Sequence, residues 1–166
     1  MQIIFQRPYT DLKNLHLDVE ASDSIDGILA TIAEIYGSPV EQFSLLNSGI
    51  GPDEKCFPLE NGKTLSGYQI SEGGTVILRQ EFNIVIVRAL SGSMLFILKV
   101  EASQSIYHVK LLIAVEENIN WHCIQLGVGT TVMEDTKCML DYRLKADSRV
   151  WLHIVVEPLS SESSDT

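Results

Sequence analysis

Cysteine, positive charge and long apolar runs are all scarce in this 166-residue chain. Cys56, Cys123 and Cys138 are odd in number and do not recur at matching positions. A disulfide framework is therefore not expected, and the chain reads as one of a reducing compartment, cytoplasmic or nuclear. Twelve Lys and Arg stand against 22 Asp and Glu, a net charge of −10. Affinity for nucleic acid comes mostly from basic side chains neutralising phosphate, so nucleic acid is not an expected partner. An anionic membrane surface is disfavoured for the same reason. No apolar run approaches the roughly 18 residues that mark a membrane-spanning helix. Met1-Gln-Ile-Ile-Phe5 opens as a strand pattern and not as a leader.

Catalytic constellations are missing as well. No Cys and His cluster has zinc spacing, and no Gly-rich loop could cradle a phosphate. His16, His108, His122 and His153 scatter along the chain. Adjacent His122 and Cys123 are expected on opposite sides of the backbone. Ser91-Gly92-Ser93 reads as a hairpin turn, since no helix follows it. Cys138 reads as a small buried residue. Neither enzyme activity, a cofactor nor a metal is expected.

What the chain does have is repetition. Asp18-Val-Glu-Ala-Ser-Asp-Ser-Ile25 returns as Lys99-Val-Glu-Ala-Ser-Gln-Ser-Ile106, at an offset of 81. Leu65-Ser-Gly-Tyr-Gln-Ile70 returns as Met139-Leu-Asp-Tyr-Arg-Leu144, at an offset of 74. Such spacing predicts two copies of one small domain. The change of offset places seven extra residues in the first copy, between Gly49 and Pro58. The expected domains are 1–80, with an inserted loop at about 50–57, and 82–157. The polar, acidic tail 158–166 is expected to be disordered.

Periodicity gives the elements. Met1, Ile3 and Phe5 alternate with Gln2, Ile4 and Gln6, and Leu15, Leu17 and Val19 with His16, Asp18 and Glu20, predicting a hairpin. Ser24 precedes Ile25, Ile28, Leu29 and Ile32 at helical spacing, with Gly37 as C-cap and Pro39 beyond. Phe43–Asn47 and Thr75–Arg79 read as strands. The second copy follows suit, with inward rows Phe82, Ile84, Ile86 and Phe96, Leu98, Val100. Ser105 then caps a helix built on Ile106, Val109, the Lys110 stem and Ile113. Val150, Leu152 and Ile154 form the last inward row. Only Gln80-Glu81 separates the copies, too little for a flexible tether.

This order, with Met1-Gln-Ile-Ile-Phe5, Val19-Glu-Ala-Ser-Asp-Ser-Ile25 and Leu59-Glu-Asn-Gly-Lys-Thr-Leu-Ser-Gly-Tyr-Gln-Ile70, resembles ubiquitin. Met133-Glu-Asp135, Asp141-Tyr142 and Leu144 carry the same resemblance more weakly. The implied fold class is α+β: two tandem β-grasp domains, each a mixed sheet packed on one helix. The pair is similar to the interferon-induced and inflammation-induced tandem modifiers, and to paired ubiquitin-like domains fused to larger proteins.

One departure bears on function. Modifiers of that family end in Gly-Gly, because their tails thread narrow enzyme tunnels. Here Pro158 and Leu159 stand at that point, and the first copy runs on through Arg79-Gln-Glu-Phe82. The resemblance then implies a non-conjugated interaction module, like a linear ubiquitin pair that cannot be cut. Expected partners are ubiquitin-binding domains, ligases or proteasome-associated receptors, with the chain itself a monomer. A modifier conjugated through an atypical tail, or an adaptor segment of a larger protein, stays open.

The resemblance also places a binding face. Leu46 falls at the centre of the family's apolar patch, flanked by Ile77 and Arg79. In the second copy the matching positions are Gly127, Trp151 and His153. Trp151 is expected to face outward, because Val150 and Leu152 face inward. It is then either a partner site or packed against its own loops or the first copy.

Overall fold

A computed structural model describes residues 1–9, 14–47 and 57–155. The expected insertion, apart from Phe57, and the expected tail lie outside the described residues. The chain divides into two compact units, Met1–Glu81 and Phe82–Thr166.

In unit one, β1 (Gln2–Gln6) and β2 (Leu15–Asp18) pair antiparallel, with Ile3 opposite Leu17. Helix α1 (Ile25–Tyr36) follows. It starts where the Ser24 hydroxyl accepts the Gly27 N–H at 3.1 Å, a cap worth about 1 kcal/mol. It stops at Gly37, whose φ of 67° lies in the left-handed region. Strand β3 (Phe43–Asn47) pairs antiparallel with β4 (Phe57–Pro58) and with the first part of β5 (Thr75–Arg88). The same part of β5 lies parallel to β1, so the strand order is β2-β1-β5-β3-β4. Ile3, Phe5, Ile25, Ile32, Leu45, Leu65 and Leu78 form a fully buried core. Each such side chain contributes roughly 1.5–3 kcal/mol by leaving water.

Unit two uses the rest of β5, then β6 (Met94–Glu101), α2 (Ile106–Glu117), β7 (Ile124–Val128), β8 (Thr131–Val132) and β9 (Arg149–Ile154). Its order is β6-β5-β9-β7-β8, with β5 and β9 parallel. The Ser105 hydroxyl caps α2 through the His108 N–H, and Asn118 closes it at φ 53°. Ile84, Ile86, Ile106, Ile113, Leu126 and Val150 are the centre of a second core.

Fine details recur at the offsets seen in the sequence. Both helices are 12 residues long, 81 residues apart. The Tyr68 hydroxyl accepts the Glu60 N–H at 2.8 Å, and the Tyr142 hydroxyl accepts the Glu134 N–H at 2.7 Å. Lys63 pairs with Glu60 and Lys137 with Glu134.

Three expectations need correction. The strand beginning at Thr75 does not stop at Arg79 but runs to Arg88, through Gln80 and Glu81. Alternation explains it, because Val76, Leu78, Gln80, Phe82, Ile84 and Ile86 are all buried in one row. Gln80 can be buried because its amide is satisfied: it accepts from Arg7 Nη1 at 2.9 Å and donates to Gln42 Oε1 at 3.0 Å. Ile154 is not buried with Val150 and Leu152: as the last residue of β9 it is 47% exposed. His122 and Cys123 are not split by strand alternation, since Trp121–Cys123 form a 3₁₀ turn in which the His122 ring stacks on Trp121.

Candidate functional site

The side chains of Leu46 and Ile77 meet because β3 and β5 are antiparallel in a register that sets them directly opposite each other. Their inward neighbours Leu45, Val76 and Leu78 are buried, which turns both residues to the outer face. Gln6 lies beside Ile77 on β1, and Pro58 lies beside Leu46 on β4. The outer row thus reads Gln6, Ile77, Leu46, Pro58. One step along, Arg79 stands opposite Ser44 and holds Glu81 at 3.2 Å. The three positions picked from the sequence in this unit, Leu46, Ile77 and Arg79, share one surface.

Register builds a matching row in unit two: Val87, Trp151, Gly127, Val132. Gly127 and Trp151 are a direct cross-strand pair. A Cβ on Gly127 would overlap Cζ2 and Cε2 of the indole, so the ring occupies the space that a side chain would have filled. A strand glycine marks this kind of close approach. The indole Nε1 donates to the Gly129 carbonyl at 2.9 Å, in the turn between β7 and β8. Trp151 is consequently half-buried on its own unit, with its polar atom satisfied. The indole thus rests against the β7–β8 turn of its own unit, while part of the ring stays exposed. Val87, on the same outer row, is 7% exposed.

His153 lies opposite Gln125 and is exposed. It lines a shallow groove with Arg88, Ala89, Leu90, Leu152 and Ile154. Leu90, at the turn after β5, is 95% exposed. Trp151 and His153 therefore sit next to one another along β9 on the outer face, as strand period demands.

Among the described residues, no group of three or more His, Cys, Asp or Glu could hold a metal ion. Burial pushes the Cys138 thiol above its usual pKa, away from the thiolate a nucleophile needs. Ser91 and Ser93 bond to each other at 2.8 Å across the hairpin turn.

Sequence reasoning missed two things here. Pro58 and Val132 complete the rows, but only the pairing register shows it. The stacking of Trp151 over Gly127 also depends on register. The glycine in an otherwise strand-like run was its one signal.

Residues 85–157 match the ubiquitin family. Unit two thus contains a ubiquitin-like domain, built as a mixed sheet with α2. Such a domain points to a role in the ubiquitin system or in protein interaction. Within it, Gly127, Trp151 and His153 fall on the outer sheet face.

Proposed function

We propose that the chain is a tandem pair of ubiquitin-like domains that binds protein partners without being conjugated to them. Unit one is read as the second copy of the β-grasp fold. The observation that carries this is the pair of equivalent rows on the outer sheet faces: Gln6-Ile77-Leu46-Pro58 and Val87-Trp151-Gly127-Val132. Both rows are largely apolar at the same register, with Leu46 and Ile77 partly exposed in unit one and Trp151 and Val132 at least partly exposed in unit two. Large aromatic and aliphatic anchors dominate binding energy at such surfaces. In unit two the indole supplies the apolar area that Gly127 lacks. Partners would be ubiquitin-binding domains, ligases or proteasome-associated receptors in the cytosol or nucleus.

Pro158 and Leu159 argue against conjugation, because an enzyme tunnel shaped for glycine would reject both. Titration calorimetry against purified ubiquitin-binding domains tests the reading. Binding should be lost in Leu46→Arg or weakened about tenfold or more in Trp151→Ala, in proteins with native circular dichroism. No binding across a broad set, or binding indifferent to both changes, would reject it. An ATP-dependent covalent adduct that survives denaturant would replace it with the modifier reading.

A further inference from the structure

Strand β9 outlasts its neighbour. The parallel ladder between β5 and β9 ends at the Arg88–Leu152 pair, where the Ala89 N–H donates to the Leu152 carbonyl at 3.1 Å. The chain then turns away, and the Gly92 N–H donates to the Arg88 carbonyl. On the other side of β9, the Val155 N–H donates to the Cys123 carbonyl. Alternation therefore points the N–H and C=O of Ile154 to the edge that β5 has left. Among the described residues nothing pairs with them. The groove of Arg88, Ala89, Leu90, Leu152, His153 and Ile154 lies along this edge.

Unit one provides an internal control. At the offsets of 81 and 74, Arg88 answers to Arg7, Glu117 to Tyr36 and Ile154 to Gln80. Register agrees, since Gln6 lies opposite Ile77 as Val87 lies opposite Trp151. In unit one the arginine is 1% exposed, lies over the tyrosine ring, and donates Nη1 to Gln80 Oε1 at 2.9 Å. In unit two Ile154 offers no side-chain acceptor, and Glu117 replaces the ring without forming an ion pair with Arg88. Arg88 is exposed, and among the described residues no ion pair or hydrogen bond holds its guanidinium.

We propose that this edge takes an extended acidic peptide segment of a partner protein. The segment's backbone pairs with Ile154 in the place that β5 vacates, as strand addition does at open sheet edges. One of its carboxylates reaches Arg88 as Gln80 reaches Arg7, and an apolar side chain covers Leu90, which is 95% exposed. Charge selects this occupant. Arg88 and His153 rim the groove, and no Asp or Glu lines it. Residues 82–155 hold seven Lys and Arg and seven Asp and Glu, so the unit does not repel an acidic segment. The site is the edge of β9 and does not depend on what the outer row binds.

Amide proton–nitrogen NMR spectra of the full chain test it, with the capped peptide Glu-Glu-Leu-Glu-Val-Glu as probe. The peptide should shift the signals of Ala89, Leu90 and Ile154, and a version with Lys in place of every Glu should not. Arg88→Glu, with an unchanged thermal melt, should weaken the acidic peptide about tenfold or more and admit the lysine one. A version N-methylated at every residue should not bind, because strand pairing needs its N–H groups. Unmoved signals in the wild type overturn the proposal, including the case in which the chain's own residues 156–166 occupy the edge. Equal binding of the acidic and lysine peptides, binding of the N-methylated one, or indifference to Arg88→Glu overturns it too. Calorimetry with ubiquitin-binding domains reads the outer rows and succeeds or fails separately.

Discussion

Two glycines explain why Trp151 sits where it does. Gly127 leaves room for the indole, and Gly129 offers the carbonyl that its N–H needs. Gly127→Ala should therefore force the ring out or strain the sheet, at about 1–3 kcal/mol, as overpacking usually does. Urea unfolding measures the cost, and a red-shifted tryptophan emission would mark the displaced ring. An unchanged midpoint and spectrum would mean the ring is not held there. Arg7 is the opposite case, a residue the sequence did not flag. It is 1% exposed, lies over the Tyr36 ring at 4.6 Å, and donates Nη1 to Gln80. Among the described residues, its buried Nε and Nη2 have no hydrogen-bond partner. Buried donors left unpaired are costly. Arg7→Met should keep the contact with Tyr36 but leave the buried Gln80 Oε1 without its donor, and so lower stability by about 1–3 kcal/mol. An unchanged thermal melt would show that this hydrogen bond contributes nothing net. Strand alternation made Trp151 legible as outward, but nothing local in Gln-Arg-Pro reveals a buried cation.

At the scale of elements, helix α1 is tied to the loop before β5. The Asp26 carboxylate accepts the Gly62 N–H at 2.8 Å, and that bond lowers its pKa below the ordinary carboxylate value. The folded chain thus favours the charged form. Its contribution is fully present above the unfolded carboxylate pKa and is lost as pH falls through the lowered folded value. In Asp26→Asn, the acid side of the stability curve should fall less steeply than in the wild type. Urea midpoints measured from neutral to acid pH check this, and parallel curves would reject it. Both helices were readable because apolar spacing and a serine cap agreed, and in α1 Gly37 also marked the end. The end of the strand begun at Thr75 was not readable. Gln80 and Glu81 look like a junction until the amide of Gln80 is seen to be satisfied inside.

For the whole molecule, the even spread suggested by the total charge is misleading. Residues 1–81 hold five Lys and Arg against twelve Asp and Glu, whereas 82–155 are balanced. A basic partner that docks on the Leu46 surface should be steered by that field, and its association rate should fall as salt shortens the Debye length to about 8–10 Å. A partner that docks on Trp151 should show a nearly flat salt dependence. Stopped-flow mixing across ionic strengths separates the two, and equal slopes would discard the distinction. The element order was legible at this scale because the same letters return at fixed offsets. The partners were not, because row register depends on pairings far apart in the chain.

Trp121 and Trp151 both belong to the second unit, and the first has none. Tryptophan emission therefore observes one half of the molecule, while far-ultraviolet dichroism observes both. A single melt recorded in the two channels becomes an experiment on cooperativity that needs no label. Superimposed transitions would mean that the halves stand or fall together, and split ones that each keeps its own melting point.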